Sequence, residues 1–197
     1  SVLYDKYIGE SEKHLRETLR QAEAMSPIVL WIDEIEKGFA GAASRSVDGG
    51  LSQRMFGSLL TWMQERQAPV FVIATANDVE ALPPELLRKG RFDEIFFVDL
   101  PGPAVRKAIV SIHLKKRMYE PAEFDLEQLA AVSEGYTGAE IEQAVIAAMH
   151  DAFSAARKMG TTDLVQALRQ SPPLAVTMKE RVDSLRAWAR GRCATVD

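Results

Sequence analysis

The stretch 29-VLWIDEIEK-37 joins an apolar run directly to two carboxylates, with no turn residue between them. The run from Ile28 to Ile32 shows no alternation of polar and apolar residues, which predicts a β-strand covered on both faces, as in a parallel α/β sheet. Active sites of such sheets open at the carboxyl ends of the strands. We therefore expect Asp33 and Glu34 to leave the sheet where a ligand would bind.

Two interpretations of these acids are open from the residues alone. In the structural interpretation, Asp33 caps the helix that follows, and Glu36 and Lys37 form a local surface pair. In the functional interpretation, Asp33 holds Mg²⁺ through water and Glu34 orients a nucleophilic water. The position at a strand end favours the functional interpretation.

Composition indicates a globular protein of one domain or two small ones, because 47% of the 197 residues are hydrophobic and 26% are charged. A net charge of -4, without any block rich in Lys and Arg, argues against electrostatic binding of nucleic acid. The single cysteine, Cys193, excludes an internal disulfide and favours a reducing compartment. With no apolar run of about 18 residues and no secretory signal layout, we expect a cytoplasmic protein that contacts no membrane.

Periodicity divides the first half of the chain into helices and strands. It predicts a helix over residues 11–25 with Ser11 as its N-cap, and strands over 70–74 and 95–100. The glycine-rich residues 38–50 predict a mobile loop. A second helix is predicted by apolar residues at helical spacing, namely Leu51, Met55, Leu59 and Met63.

After Pro103 the pattern becomes helical. An apolar stripe is predicted on the first helix of this half, formed by Val105, Ile109 and Ile112. Two capping boxes, Thr137–Glu140 and Thr177–Glu180, predict the starts of later helices. The fold class is therefore predicted as α/β, with a parallel-sheet core over residues 1–102 and an all-α lid over 103–197.

Further polar residues follow the predicted strands. Asn77 comes after the second strand, where it is either an Asx-turn residue or an amide that holds a water against a γ-phosphate. Its place beside the strand that ends in Asp-Glu favours the second role. Arg88 and Arg91 lie three residues apart, and they are either solvated arginines or paired guanidiniums offered to a phosphate on a neighbouring subunit.

Taken together, these motifs resemble those of the AAA+ ATPases. The segment 31-WIDE-34 resembles the Walker B motif of that family, 74-ATAND-78 its first sensor, and 82-LPPELLRKGRFDEIFFVDLP-101 its second region of homology with two arginine fingers. The order and spacing match across nearly the whole chain. Within the family, 26-SPIVLWIDEIEKGFAG-41 and 54-RMFGSLLTWMQE-65 are most similar to the chloroplast and cyanobacterial open-reading-frame group and its bacterial relatives.

The resemblance implies a ring-forming ATPase, with a hexamer as the expected assembly, that uses ATP and Mg²⁺ to remodel a protein partner. It implies that Asp33 holds the metal through water, and it assigns catalytic roles to Glu34, Asn77, Arg88 and Arg91. It implies nucleotide contacts at His113, Gly138 and Ala139, on the lid. It also implies that Tyr7, Ile8 and Gly9 form the pore loop that grips a translocated polypeptide, where the structural alternative is a strand-to-helix turn.

One motif of the family is absent. The P-loop, G-x-x-x-x-G-K-[ST], needs a Gly-Lys step, and no glycine precedes a lysine in this chain. The chain is therefore expected to be the latter part of an ATPase module, inactive by itself, with a sheet that lacks its first strand. Because bare strand edges are unfavourable, residues 70–74 and 95–99 are expected to pair with each other, to pair with another copy, or to be disordered.

Two other classes of function are open. The chain could be a nonhydrolysing interaction or regulatory module that keeps the AAA shape for oligomerisation, and the missing P-loop favours this alternative. A metal-dependent nuclease that uses Asp33 and Glu34 is the third possibility, which the acidic charge balance disfavours.

Overall fold

The protein forms two compact units, Ser1–Ile95 and Phe96–Asp197. The computed structural model describes the backbone of residues 2–39, 49–88 and 90–195, and the side-chain surroundings of residues 12–38, 53–88 and 90–194. Most of the predicted loop over 38–50 lies outside the described residues. The functional boundary between residues 102 and 103 stays a prediction.

The first unit is a small parallel α/β structure. Its described elements are α1 (Val2–Ala24), β1 (Ile28–Ile32), α2 (Ile35–Phe39), α3 (Gly49–Glu65), β2 (Val70–Ala74) and a 3₁₀ turn (Pro84–Leu87). β1 and β2 pair in parallel, with Ile28 opposite Val70 and Ile32 opposite Ala74. The core lies between the helices and one face of this sheet, and consists of Leu19, Ile35, Phe56, Leu59, Met63, Leu82 and Leu86. The prediction of a parallel sheet is confirmed.

The expectation that both faces of the first strand are covered is wrong for the described residues. Leu30 and Ile32 pack against the core, but alternate residues point away from it. Val29, Trp31 and Phe71 are 58%, 60% and 64% exposed. A continuous apolar run therefore did not distinguish a strand covered on both faces from one covered on a single face.

The first helix is longer than predicted. α1 runs from Val2, so Ser11 lies inside the helix and is not its N-cap. Ser11 is flanked by glutamates, which favour helix, and a serine is preferred at caps without being excluded from helices. The backbone of Tyr7, Ile8 and Gly9 is helical, where a loop or a turn was expected. Their side chains lie outside the described residues.

The second unit is mainly helical. Its described elements are β3 (Phe96–Phe97), α4 (Pro103–Lys116), a 3₁₀ turn (Pro121–Glu123), α5 (Leu126–Val132), α6 (Gly138–Ser154), α7 (Thr161–Gln170), α8 (Leu174–Thr177), α9 (Lys179–Ala189) and β4 (Ala194–Thr195). Helices α4 to α7 surround one core, whose most buried residues include Val110, Leu114, Leu129, Ile141, Val145, Ala148, Leu164 and Leu168. No helix among the described residues is long and apolar enough to cross a bilayer.

The apolar stripe predicted on α4 is right only at Ile109, which is half-buried and packs against the core. Val105 and Ile112 are exposed, and the buried residues of α4 are Arg106, Val110 and Leu114. Arg106 can be buried because its guanidinium donates to two carbonyl oxygens, at 3.0 Å to Ala130 and at 2.7 Å to Pro101. Because arginine is counted as polar in a periodic pattern, the predicted stripe lies one or two residues before the buried face of Arg106, Val110 and Leu114.

The predicted capping box at the start of α6 is confirmed. The Thr137 hydroxyl accepts from the backbone N–H of Glu140 at 3.2 Å, and the Glu140 carboxylate accepts from the backbone N–H of Thr137 at 2.7 Å. The box predicted at Thr177–Glu180 is wrong, since α9 begins after Met178 without a side-chain cap. Thr177 ends α8, and its hydroxyl turns back to the carbonyl oxygens of that helix.

The third predicted strand does not join β2. Of the predicted residues 95–100, Phe96 and Phe97 form a strand, and they pair in parallel with Ala194 and Thr195. Direct pairing of residues 70–74 with residues 95–99 is therefore wrong, because β2 and β3 lie in separate sheets. The last of the described strands, β4, therefore pairs with one edge of β3.

Candidate functional site

The candidate site lies at the carboxyl ends of β1 and β2. Ile32 and Ala74 are partners in the register, so the two strands end side by side. The ladder continues beyond them, with Thr75 donating its N–H to Ile32 at 2.9 Å and Ile35 donating to Thr75 at 2.9 Å. Parallel pairing thus brings the residues after each strand together, as expected for an α/β sheet.

Glu34 has an unusual backbone conformation. Its φ is 49°, in the left-handed region that residues other than glycine seldom adopt. Its backbone N–H donates to the Thr75 hydroxyl at 3.0 Å, a bond that holds this conformation in place. Such conformations occur preferentially at functional sites.

Thr75 contacts both acids of the predicted site. Its hydroxyl accepts from the Glu34 N–H and donates to the Asp33 carboxylate. One oxygen atom therefore orients the side chain of Asp33 and the backbone of Glu34. Thr75 has no role in the functional prediction from the sequence, although a β-branched residue with a hydroxyl directly after a strand is a usable signal.

Asn77 lies against Glu34. Its side-chain amide donates to the Glu34 carboxylate at 3.0 Å. The Asx-turn role considered for Asn77 is taken by Asp78, whose carboxylate accepts from the backbone N–H groups of Glu80 at 3.1 Å and Ala81 at 3.3 Å. The Asn77 side chain, which was predicted to hold a water, is thus directed to the acid that was predicted to orient that water.

The predicted surface pair of Glu36 with Lys37 is wrong. Lys37 donates to the second carboxylate oxygen of Glu34 at 2.6 Å, and this hydrogen bond raises the pKa of Lys37 above its ordinary value. Glu36 is only 5% exposed, and it accepts from the backbone N–H of Asn77 at 3.0 Å. Glu36 and Lys37 were expected to contact each other, but they bind different residues of the site: Glu36 binds Asn77, and Lys37 binds Glu34.

The two predicted arginine fingers have different surroundings. Arg88 follows the 3₁₀ turn Pro84–Leu87 and is exposed. Arg91 is half-buried and donates to the backbone carbonyl of Leu60, in α3, at 3.2 Å. Between them Gly90 has a φ of 92°, which a residue with a side chain would adopt only under strain. Arg91 thus fixes the turn on α3, while Arg88 projects from it.

The lid residues predicted to contact nucleotide lie in the second unit. His113 is in the last turn of α4, with its Nδ1 3.3 Å from the Glu142 carboxylate. Arg117 binds the same carboxylate at 2.9 Å, and this hydrogen bond lowers the pKa of Glu142. Gly138 opens α6, where an added Cβ would meet Ile109 at an ordinary contact distance of 3.6 Å, and Ala139 beside it is exposed.

The described residues contain no group of three or more His, Cys, Asp and Glu side chains arranged to hold a metal ion directly. Asp33 is an exposed carboxylate at a strand end, oriented by a hydroxyl. A single hard oxygen ligand of this kind fits Mg²⁺, which usually keeps most of its bound water. The residues present therefore fit the water-mediated contact that was predicted.

Comparison with known proteins identifies the family. The profile of the ATPase family associated with various cellular activities (AAA) matches residues 1–100, just over half of the chain. The chain belongs to this family. The AAA+ lid domain profile matches residues 123–179, in the helical second unit.

Individual relatives agree with this assignment. The chain is 50% identical to the AAA domain-containing protein ycf46 of Pyropia yezoensis over 188 residues, which are 95% of the chain and 38% of the relative. It is 36% identical to the proteasome-activating nucleotidase of Aeropyrum pernix over 170 residues, or 83% of the chain and 40% of the relative. The chain thus spans well under two thirds of the length of these relatives.

A solved structure supports the same fold. The crystal structure of the FIGL-1 AAA domain matches with a TM-score of 0.75 at 22% identity, covering 98% of this chain and 67% of that one. The same domain in complex with ADP matches with a TM-score of 0.75. The AAA fold, a small parallel sheet with a helical lid, is therefore shown for this chain.

Proposed function

We propose that this chain supplies the water-activating acids, the arginines and the lid of an AAA ATPase that remodels a protein partner. The observation that carries the proposal is the contact of the Asn77 amide with the Glu34 carboxylate, beside an Asp33 that Thr75 orients. An acid next to a neutral amide at the end of a parallel strand suits a water that must be both polarised and positioned.

In the proposed reaction, a water attacks the γ-phosphorus of ATP and the bond to the β–γ bridging oxygen breaks. Glu34 accepts a proton from the water, and ADP leaves with the bonding electrons. Asn77 holds the water and the Glu34 carboxylate in register. Asp33 would hold Mg²⁺ through water, and the ion would offset charge on the phosphates. The exposed pair of Glu34 with Lys37 is weak enough to open when substrate enters.

The other predicted roles form part of the same proposal. Arg88 acts on ATP bound to an adjacent subunit of a ring, a hexamer in this proposal, with Arg91 beside it. His113, Gly138 and Ala139 contact the nucleotide from the lid, and the segment Tyr7–Gly9 contacts the polypeptide substrate. Hydrolysis also requires a phosphate-binding loop, so we propose that these 197 residues act together with such a loop in the same protein. We propose that this protein is cytoplasmic.

The proposal is tested by exchanging the two acids separately in that protein. Glu34→Gln is expected to leave ATP binding within about twofold and to lower turnover by about 10²–10⁴-fold, because the amide keeps the size of glutamate but accepts no proton. Asp33→Ala is expected to weaken ATP binding in Mg²⁺ and to change it little in EDTA. Glu65→Gln, on the exposed end of α3, is the matched control.

Phosphate release and calorimetric ATP titrations give the two readouts. If the Glu34→Gln and Asp33→Ala variants hydrolyse ATP at the wild-type rate, the acids are structural and the proposal fails. A wild-type protein that assembles but releases no phosphate would instead favour the nonhydrolysing interaction module.

A further inference from the structure

Glu36 is a buried acid to which none of the roles above gives a function. It is the second residue of α2, and it is 5% exposed, whereas Lys37 and Gly38 after it are exposed. Burial of a carboxylate is costly unless hydrogen bonds replace its contacts with water. The position of Glu36 therefore requires a compensating interaction.

That interaction is with Asn77. One Glu36 oxygen accepts from the Asn77 backbone N–H at 3.0 Å, and the Asn77 side chain donates to Glu34 at 3.0 Å. Asn77 is thus held at its backbone by one acid and at its side chain by another, both from the segment that follows β1. The two bonds span 41 and 43 positions of sequence, so they connect the ends of separate strands.

The neighbouring polar groups hold other parts of the site. Thr75 contacts Asp33 and the Glu34 backbone, and Lys37 contacts the outer oxygen of Glu34. The second Glu36 oxygen is buried without a hydrogen-bond partner among the described residues. An unpartnered buried oxygen lowers stability. Stability alone therefore does not account for a carboxylate at this position.

We propose that Glu36 is a positioning residue that sets the Asn77 backbone so that the Asn77 amide meets Glu34 and the attacking water. This inference rests on the proposed ATP hydrolysis. Glu36 does not touch the reacting atoms. It fixes the distance between the ends of β1 and β2 at the point where the amide and the carboxylate must act together.

The first test compares variants of Glu36 in the protein that hydrolyses ATP. Glu36→Met keeps the length of the side chain but has no acceptor, and kcat is expected to fall about 10–100-fold, as for a small displacement of a catalytic group, with KM for ATP almost unchanged. Glu36→Gln keeps an acceptor oxygen and is expected to restore most of kcat. Glu36→Asp keeps the charge but is too short, and is expected to behave like Glu36→Met. Glu65→Met is the surface control.

A double-mutant cycle separates positioning from simple anchoring of α2. If Glu36 acts through the Asn77 side chain, Glu36→Met lowers kcat no further once Asn77→Ala is present. The inference would be overturned if the losses in kcat from Glu36→Met and Asn77→Ala were additive. It would also be overturned if, among the Glu36 variants, the loss in kcat simply paralleled the decrease in the thermal unfolding midpoint. If Glu36→Met does not fold, Glu36→Asp takes its place in the cycle.

A measurement that does not depend on ATP hydrolysis tests the role of Glu36 separately from the proposed function. Hydrogen exchange of the Asn77 backbone N–H, measured by NMR, is expected to be faster in Glu36→Met and near the wild-type rate in Glu36→Gln. Unchanged exchange in Glu36→Met would overturn the positioning role. Absence of ATP hydrolysis in the wild-type protein would overturn the proposed function, and the exchange rates would still decide whether Glu36 positions Asn77.

Discussion

At the scale of single residues, the site depends on residues that each bind two partners. The Thr75 hydroxyl holds Asp33 and the Glu34 backbone, and Asn77 is held by Glu34 and Glu36. Shared partners of this kind couple the residues energetically, so the loss of one member weakens the contacts of the others. The positive φ of Glu34 is tolerated within this network.

The two arginines of the predicted finger pair are expected to differ in their effect on stability. Arg91→Ala removes a hydrogen bond from a half-buried guanidinium to the Leu60 carbonyl, and should lower the free energy of unfolding by about 1–2 kcal/mol. Arg88→Ala changes an exposed side chain and should stay within about 0.5 kcal/mol of the wild type. Urea denaturation of both variants measures the difference.

The conservative exchanges provide the control for that comparison. Arg91→Lys keeps the charge and a hydrogen-bond donor, so its free energy of unfolding should lie between those of Arg91→Ala and the wild type. Arg88→Lys should leave the free energy of unfolding unchanged. Equal losses for Arg88→Ala and Arg91→Ala would contradict the different surroundings of the two side chains.

Some residues of the site could be predicted from the sequence, whereas the contacts of others could not. Asp33, Glu34 and Asn77 follow apolar runs, and parallel strands bring their ends together, so order along the chain was enough. Glu36 and Thr75 were missed because their roles depend on which way each side chain points across the strand ends. The pattern of residues carries no information on that direction where the backbone is irregular, as it is at Glu34.

At the scale of elements, burial was harder to predict than secondary structure. The strand at Ile28–Ile32 was predicted from its apolar run, but the prediction from the same run that both of its faces are covered was wrong. On α4 the buried face includes Arg106, whose methylene groups pack inside while its guanidinium binds carbonyl oxygens. Helix formation follows local periodicity, whereas the choice of buried face follows what packs against it.

The two threonines of the predicted capping boxes provide a test at this scale. Thr137→Ala removes an N-cap that binds the Glu140 N–H and should destabilise the second unit by about 1 kcal/mol. Thr177→Ala is the matched control, because α9 has no side-chain cap and the Thr177 hydroxyl donates to the carbonyl oxygens of Pro173 and Leu174. Thermal unfolding followed by circular dichroism should show a lower midpoint for the first variant alone. A midpoint shift of the same size in both would contradict the assigned caps.

At the scale of the whole molecule, the chain combines a small parallel α/β unit with a helical unit that matches the AAA+ lid profile. The family could be predicted from sequence because its motifs are short segments next to strand ends. The pairing of β3 with β4 could not be predicted, since it joins residues 96–97 with 194–195 and involves no motif. Contacts between distant, unpatterned segments depend on the folded structure.

Action of an arginine on a neighbouring subunit can be tested only in the assembled protein. Pure rings of Arg88→Ala subunits should bind ATP but fail to hydrolyse it, because each site lacks the cation that offsets charge in the transition state. Glu34→Gln subunits should also be inactive alone, although they retain Arg88. In mixed rings, an Arg88→Ala subunit with an intact Glu34 can receive Arg88 from a Glu34→Gln neighbour, so phosphate release should reappear. Turnover should be highest near equal amounts, where unlike neighbours are most frequent.

The control mixture joins Arg88→Ala subunits with subunits that carry both Arg88→Ala and Glu34→Gln. No interface in that mixture has both an intact acid and an intact arginine, so turnover should stay at the level of the pure variants. Recovery in the first mixture and none in the control requires that Arg88 acts across an interface. If neither mixture recovers at any ratio while native mass spectrometry shows mixed rings, Arg88 acts within its own subunit, and its exposure has another explanation.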